Sequence, residues 1–361
     1  MSVAEDEAPC AGGTRPRLAR ATVAYSNLTP SIDLNSKLRN LRALPIVGST
    51  AICGAISLCR SFQPDWLAAV ILVPAWCWLI PGLSLASFGF RRKQKRPFVA
   101  ALAMWGVFAF LSVEEARSLF RTEVMSTADW QTVRESGDGL RVASLNCNVG
   151  QTRSVEEVSA WQPDIVLLQE SPGSEQLDVL VKSLFGSGDA LHGGDVSILT
   201  RGKITTKFAD PKSHFVHAEI QLPTGELVDV ISVRLAPPVP RLDFWMPGFW
   251  IAHRNKRIEH REQIAELMQY VQSIPESHRL IVGGDFNAPP TDDSLAALRQ
   301  RLSDSFLTAG HGWGPTGTNE YPLFRVDQIW VSDSLQPASV TAHKTQHSDH
   351  RMVVCDLMLD Q

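Results

Sequence analysis

The chain has 361 residues, 44% hydrophobic and 20% charged, with a formal net charge of −4. At roughly 100–200 residues per domain this length holds two or three units; the composition excludes collagen, a coiled coil, a disulfide-dense scaffold and a wholly disordered chain, and the charge excludes a nucleic-acid binder held by a strongly basic surface alone. The average conceals a chimera: residues 1–139 carry 15 Lys/Arg against 11 Asp/Glu, net +4, and residues 140–361 carry 19 against 27, net −8.

Residues 1–42 are polar and hold Gly12, Gly13, Pro16 and Pro30. They read as a disordered tail, too long to be the head of a simple signal peptide, whose apolar run starts within the first 15–30 residues or so. Residues 43–113 read as a membrane anchor of about three transmembrane helices. Three stretches there lack any Asp, Glu, Lys or Arg: Ala43–Cys59, Trp66–Phe90 and Pro97–Val113. A membrane helix needs about 20 apolar residues and no fewer than about 17. The middle stretch is the most apolar, and its Pro74 and Pro81 are tolerated in a membrane. Gly48, Ser49, Thr50 and Gly54 dilute the first. The competing reading is a set of core helices in a soluble domain.

Short flanks fix the orientation, because cytoplasmic loops are rich in Lys and Arg. Six Arg/Lys precede the first stretch from Arg15 to Arg42, Arg60 alone separates the first from the second, and RRKQKR (91–96) separates the second from the third. This pattern places the N-terminus and RRKQKR in the cytoplasm and the C-terminal half on the extracytoplasmic, periplasmic side of the cell membrane. A nucleic-acid patch is the alternative for RRKQKR, and its position between two apolar runs favours topology. Residues 114–138 read as a linker.

Residues 139–361 alternate strand-like and helical runs, which gives a layered α/β or α+β domain. The predicted strands are 140–146, 164–169, 196–200, 279–287, 324–332 and 350–359, with a hairpin turning at Pro223-Thr224-Gly225 and a helix over about 256–274. Ser154 with Glu157 predicts a capping box opening a short helix. Cys147 and Cys355 allow either a bridge or two buried thiols.

Polar residues follow these apolar strands repeatedly. Asn146 ends the first, Glu170 follows the second, Asp285 and Asn287 follow LIVGG, Asp327 sits in FRVDQIW, and Ser348, Asp349 and His350 precede the last. Carboxylates and amides without a thiol set suit a hard cation, Mg²⁺ or Mn²⁺. One His among carboxylates supplies acid–base or phosphate-contacting chemistry. Together they predict metal-assisted attack of water on a phosphoester. Taken singly, each could be a turn cap or a surface side chain. The segment Leu242–Trp250, LDFWMPGFW, is aromatic and reads as a base-stacking surface, a bilayer contact or a packed plug. The basic run 253–261 reads as a solvated helix start.

The motifs LRVASLNCNVG, PDIVLLQE, GGDFNAPP, RVDQIWVS and HSDHRMVV, in this order, resemble the endonuclease/exonuclease/phosphatase superfamily of DNase I-like proteins, and the layout resembles its membrane-bound bacterial members. The resemblance implies a four-layer α/β sandwich. It implies that Glu170, with Asn146 beside it, ligates the metal and that Asp349 is a further carboxylate on the metal or phosphate side. Asp285 would activate water, Asn287 bind phosphate, Asp327 hold the catalytic histidine, and His350 be that histidine. One position departs: where many members carry His and others Tyr, this chain has Arg234. Arginine cannot act as an acid but can clamp phosphate, so Arg234 implies an altered substrate or mechanism, or lost activity. The expectation is a membrane-anchored, Mg²⁺-dependent phosphodiesterase or nuclease. The alternatives are a hydrolase of phospholipid or sugar-phosphate headgroups and an inactive binding module.

Overall fold

The computed structural model describes residues 34–91 and 95–359. Arg42–Gln361 forms one compact unit and Met1–Leu41 another. Most of the tail expected over 1–42 lies outside the described residues, but its last nine residues are helical, because α1 (Leu34–Phe62) begins at Leu34.

The apolar stretches fold into α1, α2 (Ala68–Leu72), α3 (Leu79–Arg91) and α4 (Lys95–Ser112). The middle stretch is not one helix. It breaks at Val73-Pro74 and bends by 84° between Asp65–Leu72 and Ala75–Phe88. Proline has no amide hydrogen to donate and pushes the preceding residue out of the helical region; Val73 is extended accordingly (ψ 125°). Where the sequence predicts about three membrane helices, the described residues hold one long and apolar enough, Leu44–Phe62, or two if the bent pair counts as a span. α4 has 18 residues but opens on Lys95 and Arg96.

These helices pack through small residues. A Cβ on Gly82 of α3 would lie 2.0 Å from the Trp105 ring of α4, so only glycine lets the two approach. Trp105 Nε1 donates to Ser49 Oγ of α1, which donates to the Gly82 carbonyl. Ile46, Ala86 and Ala101 cluster at one end of the bundle; Cys53, Ile56, Ala75, Phe108 and Val113 cluster at the other.

After α5 (Glu114–Ser118) and α6 (Thr127–Ser136) comes a two-sheet sandwich. One sheet runs β11 (Leu335–His343), β12 (Met352–Leu359), β1 (Gly139–Asn146), β2 (Ile165–Gln169), β4 (Val196–Thr200), β3 (Asp189–His192). The other runs β5 (Lys203–Ala209), β6 (Phe215–Gln221), β7 (Leu227–Arg234), β8 (Leu280–Asp285), β10 (Asp327–Val331), β9 (Ser303–Asp304). Buried Val, Ile and Leu of both sheets, among them Val142, Leu167, Val230, Ile281 and Ile329, form the core between them. Against the outer face of the first sheet pack α7 (Thr152–Glu156) and α8 (Ser174–Phe185), through Val155, Leu177 and Val181. Against the second packs α9 (Pro247–Val271), through Ile264, Leu267, Met268 and Val271; α10 (Ser305–Ala309) closes one end. Four layers result, as the resemblance implies.

One local expectation changes, and the open cysteine question resolves to two thiols. Ser154 lies inside α7 and donates to the Gln151 carbonyl, so no capping box with Glu157 forms. Glu157 instead accepts from the Gln346 and His347 amides and from His347 Nδ1, fastening the loop that leads to His350. Cys147 and Cys355 are buried free thiols.

Candidate active site

Strand direction assembles the site. β1 and β2 are parallel, as are β7 and β8, so their C-terminal ends share one edge of the sandwich. β12 and β10 run antiparallel to β1 and β8 and begin at that edge. Asn146, Glu170, Arg234, Asp285, Asp327 and His350 therefore converge, and the register sets Asp285 between Asp327 and Arg234. The close approach of β8 to β7 requires Gly284 (φ 144°), where a Cβ would fall 1.9 Å from the Val233 carbonyl oxygen.

Glu170 sits in the left-handed region (φ 47°), as do Asn148, Val149 and Gly150 of the facing turn. A β-branched residue such as Val149 is strained there, by roughly 1–3 kcal/mol. The strained turn aims its amide inward: Val149 N–H donates to Glu170 Oε2 at 2.7 Å. Glu170 Oε1 accepts from Asn146 Nδ2 at 3.3 Å and from Arg234 Nη2 at 2.7 Å. The other arm of Arg234, Nη1, meets Asp195 Oδ2 at 2.6 Å.

Asn146 Nδ2 also reaches Asp285 Oδ2 at 3.2 Å. Asn287, itself at φ 48°, gives its backbone amide to Asp285 Oδ1 and its Nδ2 to Asp285 Oδ2 and the Leu235 carbonyl. Three donors thus orient one buried carboxylate. On the far side His350 Nδ1 pairs with Asp327 Oδ2 at 2.8 Å, which leaves Nε2 as the working nitrogen. Ser348 Oγ donates to the Asn146 carbonyl at 2.6 Å and accepts the His350 amide, tying the histidine loop to β1.

Charge in this pocket is unevenly balanced. Burial and the adjacent Asp327 push Asp285 up to about 7. Burial alone would lower His350, but Asp327, with Asp285 and Asp349 behind it, outweighs burial and raises it to about 10. Burial would raise Glu170 too; the Val149 amide, Arg234 and Asn146 overcome it and hold it below the ordinary glutamate value.

The donor set fits a divalent cation. Asp285 and Asp327 lie close enough that their oxygens and the His350 ring fall within 4.8 Å of one another, and among the described residues Asp327 Oδ1 is buried with no hydrogen-bond partner; the protonated His350 itself is no ligand. Glu170, Asp285, Asp327 and the amides of Asn146 and Asn287 are hard oxygen donors of the kind Mg²⁺ or Mn²⁺ takes.

The site gathers the sequence-predicted Asn146, Glu170, Arg234, Asp285, Asn287, Asp327 and His350. Asp349 stays exposed at the rim, facing His350 by charge only. Sequence reasoning missed Asp195, the second partner of Arg234, because nothing marks an aspartate before β4 as different from any loop residue. It also passed over Ser348 as a structural tie, although its place in HSDH was visible.

Oxygen donors and one cationic imidazole at the tips of a paired-sheet sandwich define a class of phosphoester-cleaving proteins. The chain belongs to the Endonuclease/Exonuclease/phosphatase family, whose sequence profile matches residues 143–350. It is similar to the uncharacterized protein YbhP of Escherichia coli K12, 25% identical over 154 residues, which are 41% of this chain and 60% of that protein. The chain thus spans 60% of the length of the curated relatives it matches. The solved endonuclease/exonuclease/phosphatase of Bacteroides vulgatus shares the fold, with a TM-score of 0.50 and 14% identity over 62% of this chain and 99% of that one. A family protein from Bacteroides thetaiotaomicron superposes with a TM-score of 0.48 and 17% identity, over 62% of this chain and 95% of that one.

Proposed function

We propose that the protein is a membrane-anchored, divalent-metal-dependent phosphoester hydrolase, and most specifically a phosphodiesterase acting on nucleic acid. The observation that carries this reading is the Asp327–His350 pair standing beside a carboxylate, Asp285, raised to about 7 and oriented by three donors. Asp285 takes one proton from water as the water oxygen forms its bond to phosphorus. His350 stays protonated at neutral pH and donates from Nε2 to a non-bridging phosphate oxygen, with Asp327 fixing its orientation. As the bond to the leaving oxygen breaks, that oxygen takes a proton from solvent. A divalent cation held by Glu170 and Asn146, with Asp349 on the rim, would neutralise phosphate and leaving-oxygen charge.

The bundle supports the membrane part. Arg257 of α9 donates to the Gln63 carbonyl and side chain and pairs with Asp65, both just after α1. Arg325 pairs with Glu114, just after α4. Both helix ends therefore rest on the α/β domain, while Ile46, Ala86 and Ala101 meet at the other end of the bundle. The orientation with the catalytic domain outside the cytoplasm rests on the Lys/Arg pattern of the sequence. A second reading, a phospholipid-headgroup hydrolase, is favoured by the exposed Leu242 (89%), Phe244 (63%) and Trp245 (71%). They precede α9, whose His253 and His260 line a cavity with Ala68 and Leu72 of α2 and with catalytic Asn287.

The test is hydrolysis by full-length protein in detergent with Mg²⁺, offered DNA, RNA and phospholipid vesicles. Glu170→Ala and His350→Ala should each lower kcat by about 10²–10⁴. Full activity in either variant overturns the site, the preferred polymer or lipid decides between the readings, and hydrolysis of none by a folded, metal-loaded protein leaves a binding module.

A further inference from the structure

We infer that Arg234 is a resident counter-cation that competes with the divalent metal for Glu170. This rests on the metal-dependent reading above and concerns the one site residue that departs from the His or Tyr the resemblance implies. Three observations carry it.

First, the guanidinium contacts the carboxylate that the metal needs: Nη2 lies 2.7 Å from Glu170 Oε1. The other oxygen, Oε2, already accepts the Val149 amide. Oε1 also accepts Asn146 Nδ2, so both its lone pairs are taken and a metal ligating there must displace one of the two donors, against the repulsion of the guanidinium charge beside it.

Second, Arg234 is held from both sides. Asp195 takes Nη1 at 2.6 Å, so the fork spans two carboxylates, and Asp285 adds a third negative charge nearby. Such charge-assisted, two-ended pairing is the strong kind. A histidine or tyrosine at this strand tip could not supply it: neither carries a permanent charge or a two-ended fork.

Third, each terminal nitrogen of Arg234 already gives a hydrogen to a carboxylate, which limits what the fork can offer phosphate in this arrangement. Both terminal nitrogens face carboxylates, and Nε is buried without a partner. A metal that takes over Glu170 Oε1 frees the Nη2 arm of Arg234 to turn toward phosphate. Arg234 thus holds Glu170 in the metal-free site and turns toward phosphate in the loaded one, while Asp195 remains its fixed partner.

The experiment measures Mn²⁺ affinity by titration calorimetry on full-length protein in detergent, without substrate, beside a melting curve for each variant. Arg234→Met should bind Mn²⁺ at least about tenfold more tightly than the native chain, and Arg234→Lys should gain less, because one ammonium keeps the charge but cannot span both carboxylates. Adding Glu170→Gln to Arg234→Met should abolish the gain. A residue that merely supported the fold would weaken metal binding when removed. Unchanged or weaker affinity in a folded Arg234→Met variant overturns the inference, as does an equal gain in Arg234→Lys or a gain that survives Glu170→Gln. Unchanged or weaker affinity in Arg234→Met, beside lost hydrolysis in His350→Ala, overturns the inference and leaves the functional reading standing, whereas a gain that survives Glu170→Gln also removes Glu170 as the metal ligand.

Discussion

Asp285 shows how a single buried group sets both chemistry and stability. Its folded-state pKa of about 7 lies above the ordinary aspartate value of 3.8. A raised pKa means a stabilising contribution that is complete below about 4 and lost as pH rises through about 7. Metal-free Asp285→Asn should therefore melt higher than the native chain at pH 8, with the difference closing toward pH 4; an unchanged or lower melting temperature at pH 8 would count against the buried, ionising carboxylate. The same groups shape kcat/KM. It should climb through about 7 as Asp285 ionises and fall near 10 as His350 loses its proton, the two values belonging to the coupled cluster. A rate profile flat between pH 6 and 8 would remove Asp285 from its role. These site residues were legible in sequence because each follows or opens an apolar strand within a motif. Asp195 was not, because its meaning comes only from Arg234, which arrives from the other sheet.

Among elements, the strands were readable where burial was continuous or alternation strict, as in β2, β4, β8 and β12. β5 was not: KITTKFA is exposed along most of its length at a sheet edge, so no apolar run marks it. The apolar stretches were read from composition, and composition cannot reveal that Val73-Pro74 breaks one of them and lays α2 against α9. Nor could the start of α9 be read, since Pro247 begins a helix within an aromatic segment that resembles a loop. The junction between α9 and the N-terminal helices depends on Arg257, 3% exposed, which serves Asp292, Asp65 and Gln63 together. Truncating it strands the buried Asp292 carboxylate and unties Asp65 and Gln63, so Arg257→Ala should destabilise the full chain by about 3–5 kcal/mol in denaturant titration. A loss below about 1 kcal/mol would mean the N-terminal helices and α9 are not joined as described.

For the whole molecule, the bland net charge is the average of a basic, apolar N-terminal third and an acidic sandwich. The four layers and the shared strand edge followed from motif order, while the packing of the helices onto the sandwich did not, because it runs through single long-range pairs such as Arg325–Glu114. A periplasm-dependent reporter fused after Gln361 should be active in cells, and activity of a cytoplasm-dependent reporter there would reverse the proposed orientation. The central claim is that the strand-tip cluster cleaves phosphoesters, and it is tested most directly by steady-state hydrolysis with Mg²⁺ by the full-length chain beside its His350→Ala variant. The expected result is turnover in the native chain that is lost by a factor of about 10²–10⁴ in the variant. Equal turnover in the two proteins would contradict it.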